Sequence, residues 1–131
     1  MGAAENKKIV QTMIAELAEG HLRRYLEPMA DDMRFTTIGT TNYSGTLTKA
    51  EYEKLLRSFP PMFKDRPPLL TPDNFIAEGD YVVAQMHGKS TTIDGKPYNN
   101  TYCFVYRFAN GKIQEIMEYL DTELIANVFG R

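Results

Sequence analysis

The 131-residue chain holds one cysteine, two histidines and no cluster of basic residues, and each shortage removes a class of function. Cys103 has no partner for an internal disulfide, and with no hydrophobic signal segment the cytoplasm is the default compartment. No apolar run is long enough to span a membrane. His21, His87 and Cys103 lack ligand spacing and no HExxH occurs, so no metal is expected. A GxSxG motif and a serine beside a histidine are both missing, which leaves no serine nucleophile. Without a glycine-rich loop, no nucleotide cofactor is implied. The only basic pair is Arg23-Arg24 in a chain of net charge -2, so neither nucleic acid nor an anionic membrane is an expected partner. Asn6 stands where myristoylation prefers serine or threonine, so that anchor is not expected either.

What remains is ordinary globular material, 43% hydrophobic and 24% charged. A chain of this length is expected to form a single domain over residues 1–131 and to bury roughly two thirds of its unfolded surface. Ile9, Val10, Met13, Ile14 and Leu17 recur at helical spacing, with Gly20 as the stop. Leu22, Tyr25, Leu26 and Met29 repeat the pattern around Pro28, which predicts a stubby second helix. A strand follows over residues 33–38. After a polar, turn-prone stretch, Thr48-Lys49-Ala50-Glu51 is a capping box, opening a helix that turns Tyr52, Leu55, Leu56 and Phe59 inward until Pro60-Pro61 ends it. Beyond a proline-rich connection the chain is nearly all strand: residues 74–77, 81–91, 97–108 and 112–120, with turns at Gly79-Asp80, Asp94-Gly95 and Asn110-Gly111. Helices first and an antiparallel meander second predict an α+β fold, helices on one face of a curved sheet. Val82, Ala84 and Met86, opposite His87 on their strand, are then a candidate homodimer surface.

One acid stands out. Glu118 lies between Ile116 and Leu120 on an apolar strand face, where desolvation raises a carboxyl's pKa toward the range useful for proton transfer. The competing role is an ion pair with a lysine or arginine. Its neighbours depend on register. A two-residue turn at Asp94-Gly95 pairs Ile93 with Lys96, His87 with Tyr102 and Gln85 with Phe104. At Asn110-Gly111, a two-residue turn puts Glu118 beside Cys103, and a three-residue turn with a G1 bulge puts it beside Tyr102. The second is preferred, because it gathers Tyr102, Phe104, Tyr106 and Phe108 with Ile116 and Leu120 on one wall. It also sets His87, Tyr102 and Glu118 in one row.

The run GKIQEIMEYLD from Gly111 to Asp121, with the helix Thr122 to Gly130 after it, resembles the nuclear-transport-factor-2-like superfamily, and within it the SnoaL-like polyketide cyclases. The resemblance implies a cone, with N-terminal helices packed on a strongly curved, mainly antiparallel sheet enclosing an apolar pocket, and commonly a dimer. Lys96 to Lys112 matches the limonene epoxide hydrolase spacing, and Glu118 falls on that family's acid. The arginine and aspartate of that family's triad fall on Gln85 and His87, and its water-positioning tyrosine and asparagine on Phe35 and Thr37, so epoxide hydrolysis is not implied. Ketosteroid isomerases place a base aspartate where this chain has Thr36 or Thr37 and, farther on, Asn42. SnoaL-like cyclases need only an acid near the end of the last strand.

The expected catalytic set is Glu118 with His87 and Tyr102 as assistants, and Asp121 as a further acid at a position that also suits the cap of the last helix. Gln85, Asn100, Phe104, Met13, Leu17, Tyr25, Met29, Phe35 and Leu120 are the expected substrate contacts. The expected activity is cofactor-free isomerisation, cyclisation or dehydration of a small, apolar, carbonyl- or hydroxyl-bearing molecule. The alternative is a noncatalytic binding or dimerisation module.

Overall fold

Helix α1, Ala3–Ala18, buries Val10, Met13 and Ile14 along one stripe. The computed structural model describes residues 2–130. Gly20 stops α1 as expected. Its φ of 83° is open to glycine, and the Gly20 N–H donates to Leu17 O while His21 N–H donates to Glu16 O, a Schellman ending. Helix α2 is only Leu22–Leu26. Strand β1, Met29–Thr37, starts four residues before the expected position, because Pro28 cannot continue a helix and Met29 pairs instead with the last strand. Strand β2, Gly45–Thr48, was not expected; it begins at the last residue of the turn-prone stretch 39–45 and runs up to the helix cap. The capping box at Thr48 forms: Glu51 N–H donates to Thr48 Oγ1 at 3.2 Å, and Thr48 N–H to Glu51 Oε1 at 2.9 Å. It opens α3, Lys49–Ser58, and a short 3-10 turn at Pro60–Met62 follows.

Strands β3 (Leu69–Glu78), β4 (Tyr81–Lys89), β5 (Thr101–Ala109) and β6 (Lys112–Leu120) complete the sheet, and α4 (Thr122–Phe129) closes the chain. The six strands are ordered β2-β1-β6-β5-β4-β3 in an open, curved sheet, with helices on its inner face. The α+β expectation holds. One pairing lies outside the expected meander: β1 runs parallel to β6, with Thr37 beside Glu118.

Two registers differ from expectation, and each difference decides a face. At residues 92–96 the loop has three residues, because Thr92 N–H donates to Lys96 O and Lys96 N–H to Thr92 Oγ1, with Gly95 at φ 91° inside. Gln85 therefore pairs with Cys103 and His87 with Thr101, one residue away from the expected partners. At Asn110-Gly111 the turn has two residues, both at positive φ (53° and 76°), the mark of type I′. Alone it would send Glu118 to the outer face. A bulge restores the inner face: Phe108 pairs with Ile113 but Arg107 pairs with Glu115, leaving Gln114 as the extra residue. Glu118 thus comes to lie opposite Phe104, not Tyr102.

Val82, Ala84 and Met86 are buried against the helices, so the expected dimer surface is core instead. The apolar residues left on the outer face are others. Ile76, Val83, Val105 and Met117 form one row across four strands.

Candidate functional site

A cavity of about 190 Å³ lies between the inner face of the sheet, the helices and the chain from Pro60 to Leu70. Phe35 stacks on Tyr52 with ring centroids 3.9 Å apart, fixing one wall. Tyr102 and Phe104 meet edge to face on another. Ile125 of α4 and a cluster of rings around Phe63 and Tyr98 close a third side.

Glu118 is the single charged residue among the described residues that line this cavity. It is half-buried by surface, since the space it faces admits a water-sized molecule. Desolvation nevertheless raises its carboxyl to about 7, partly opposed by a hydrogen bond that Thr37 Oγ1 donates to Oε1 at 2.8 Å. No lysine, arginine or histidine lines the cavity, and no ion pair involves Glu118 among the described residues. Among the described residues, then, the acid has no ion-pair partner. Replacing Thr37 by valine removes the one interaction that lowers the carboxyl, so its titration midpoint is expected to move above that of the wild type. Carboxyl carbon shifts followed by NMR against pH measure it, and an unchanged or lower midpoint would contradict this origin.

Tyrosines surround the acid. Tyr25 and Tyr52 share a hydrogen bond of 2.7 Å between hydroxyls. Tyr98 accepts one from Asn100 Nδ2 at 3.0 Å, and Tyr102 and Tyr106 stand on β5. Burial pushes Tyr25 up to about 12 and raises the other four as well, with the Glu118 charge adding a smaller push in every case. The tyrosines stay protonated near neutral pH. They can donate hydrogen bonds, while Glu118 alone on this wall gains and loses a proton there.

Of the expected site residues, Glu118, Tyr102, Phe104, Leu17, Tyr25, Phe35 and Leu120 line the cavity. It does not include the rest. His87 and Gln85 are on the exposed outer face: His87 Nδ1 sits 2.8 Å from Asp73, and Gln85 accepts from Asn74. The three-residue loop at 93–95 put them there. Asn100 is buried and does not itself line the cavity; it bonds to the backbone of Thr101 and Asp121 and to the hydroxyl of Tyr98, which does. Asp121 caps α4 through Oδ1, accepting from Leu124 N–H at 3.1 Å. Met13 and Met29 are packed in the core cluster and do not line the cavity.

Thr37, Tyr52 and Tyr106 were not among the expected site residues. Alternation from Met33 through Phe35 already puts Thr37 on an inner face, and the inward stripe of α3 includes Tyr52; their meeting with Glu118 needed the parallel pairing of β1 with β6. Outside the cavity, Glu16, Glu19 and His21 bring ligand-type atoms within 4.8 Å of one another at the end of α1. The hydrogen bond from His21 to Glu16 accounts for that grouping. No helix among the described residues is long and apolar enough to cross a membrane.

Comparison with solved structures finds the same fold. A protein of unknown function from Burkholderia pseudomallei, described as NTF2-like, superimposes with a TM-score of 0.83 at 22% identity, over 96% of this chain and 98% of the other. A candidate isomerase from Bacillus subtilis gives 0.80 at 19% identity, over 99% and 96%. TerC, crystallised with polyporic acid, gives 0.78 at 20% identity, over 92% and 94%. At these identities the likeness speaks to fold alone. Among curated proteins there is no significant sequence match. The SnoaL-like domain profile matches residues 10–116, and so stops two residues short of Glu118. The chain belongs to the family of SnoaL-like domains, within the NTF2-like fold.

Proposed function

We propose that this chain is an acid–base catalyst that moves a proton next to a carbonyl group on a small, apolar, oxygen-bearing molecule, producing isomerisation, cyclisation or dehydration. One observation carries the reading: a carboxyl poised near 7 in an apolar, tyrosine-walled cavity that has, among the described residues, no other charged group and no cation to hold it ionised. As base, the ionised Glu118 takes a proton from the carbon beside the carbonyl. The negative charge moves to the carbonyl oxygen, where a protonated tyrosine donates a hydrogen bond. Glu118, now neutral, returns the proton to a different carbon for isomerisation, or to a departing hydroxyl for dehydration. The step needs no group that the cavity lacks. His87 and Gln85 have no part in it, since neither faces the cavity.

Deuterium uptake tests this directly. In D₂O the protein is expected to speed exchange of the α-protons of a small cyclic ketone such as 2-tetralone, followed by NMR. Because the base form of Glu118 does the work, the rate is expected to rise with pH through about 7 and then level off. Glu118→Gln is expected to lower it by about 10²- to 10⁴-fold. Ketones that bind without exchange would leave a noncatalytic ligand-binding domain, the second reading of the same cavity.

A further inference from the structure

Gly88 is a glycine that the protein's own backbone and packing do not require. It sits inside β4, where glycine is normally unfavourable because it orders a freer chain and packs nothing. Its φ lies outside the left-handed region, and its pairing with Leu70 of β3 carries no bulge. A methyl group there would come no closer than 3.4 Å to Leu69 O and 3.6 Å to a Tyr102 ring carbon, both ordinary contacts. Alanine would therefore fit. A strand glycine with neither reason marks the close approach of something else. Alternation from the buried Val82, Ala84 and Met86 puts Gly88 on the inner face, where it is partly exposed and lines the cavity.

The cavity is long, and its two ends differ. Phe104 pairs with both Ala84 and Glu118, so Ala84 and the acid lie two strand spacings apart in one row. Gly88 is four residues beyond Ala84 along β4, which sets it roughly 16 Å from Glu118 along the sheet. Among the described residues that line the cavity, the exposed ones are Ala18, Pro67 and Leu69, all apolar. They gather at the Gly88 end: Leu69 O is the atom nearest to where a Gly88 methyl would stand, and Pro67 lies beside Gly20, two residues after Ala18. The acid is at one end and the mouth at the other. No cation among the described residues lines the wall, so a carboxylate or phosphate on the ligand would have nothing to offset the charge of Glu118. We infer that the substrate is a neutral, elongated carbonyl compound whose head sits at Glu118 and whose apolar tail runs over Gly88 and out between Ala18, Pro67 and Leu69. Gly88 is then a specificity residue: the missing side chain is the passage for the tail. This names the substrate class of the proton-transfer site proposed above and rests on that reading.

Calorimetric titration of the full chain with 2-tetralone, and with 2-tetralone carrying a hexyl chain at carbon 6, tests the proposal on the wild type and on Gly88→Ala. The wild type is expected to bind the hexyl compound at least about 10-fold tighter, since each buried methylene is worth about 4-fold. Gly88→Ala is expected to weaken the hexyl compound about 10-fold, the effect of overfilling a packed space by one methyl, and to leave 2-tetralone within about 2-fold. The ligand-free variant should melt at the same or a higher temperature, because alanine orders at less cost than glycine. A glycine needed by the fold would instead give a lower melting temperature and an equal loss for both ketones. That pattern, an unchanged hexyl affinity in the variant, or a wild type that does not favour the hexyl compound would overturn the inference. Deuterium exchange on 2-tetralone keeps the two readings apart. Tail-dependent binding without exchange would overturn proton transfer alone, exchange without tail dependence would overturn the tail assignment alone, and no binding of either ketone would overturn both.

Discussion

Glu118→Gln is expected to be more stable than the wild type at pH 8, by about 2–3 kcal/mol, and no more stable at pH 4. The folded protein holds the Glu118 proton up to about 7, whereas the unfolded chain releases it near the ordinary 4.5. Between those values the unfolded state binds fewer protons than the folded state. Stability contributed by the neutral carboxyl is therefore fully present below 4.5, declines as pH rises, and is lost above about 7. Glutamine has no such titration, and its amide oxygen can still accept from Thr37. Urea denaturation of both proteins from pH 4 to pH 8 measures the difference, in which the other titrating groups cancel. A flat difference would show that the acid is solvated or paired in a way the cavity does not reveal. Paired with the loss of deuterium exchange, the expected result is that of a site in which stability and activity oppose each other.

Asn100→Ala is expected to cost about 3 kcal/mol, a large part of a small domain's stability. The side chain is 1% exposed. Its Oδ1 accepts from Thr101 N–H at 2.8 Å and Asp121 N–H at 3.0 Å, and its Nδ2 donates to Tyr98 Oη at 3.0 Å and Asp121 O at 3.2 Å. Every hydrogen-bonding position of the amide is used. Alanine strands two backbone groups of Asp121, the residue whose side chain caps α4, and it frees the Tyr98 hydroxyl. The loss should spread to α4, whose Ile125 lines the cavity, so ligand affinity is expected to fall with stability. Asn100→Asp keeps the acceptor and removes both donors, and should also be destabilising. Urea midpoints of the variants are the measurement, and a cost under about 1 kcal/mol would mean the amide's bonds are replaced by water.

Local chemistry made much of this molecule readable. The capping box at Thr48 and Glu51, the glycine stop at Gly20 and the cap at Asp121 all depend on a few adjacent residues, and each forms as its sequence implies. Glu118 was visible as an acid on an apolar strand face for the same reason, since alternation is a property of the strand itself. Its inward orientation was anticipated, but by a different route from the one the chain takes. The expected three-residue turn and the observed two-residue turn plus bulge at Gln114 give the same parity and different partners.

Position along the chain could not say which strand would slip. With a side-chain period of two, a single extra residue exchanges inside for outside. The third loop residue between Thr92 and Lys96 moved His87 and Gln85 to solvent, and the Gln114 bulge brought Glu118 in. Such insertions are settled by packing over the whole sheet. Sequence alone determined the kinds and order of the elements apart from β2, and the presence of one acid among apolar neighbours, because these follow from spacing and capping within a few residues. Only the tertiary structure decided that the acid would have Thr37 as its hydrogen-bond donor, five tyrosines around it and no cation among the described residues, because those contacts join residues as far apart as Tyr25 and Glu118 through a parallel strand pairing that no local pattern encodes.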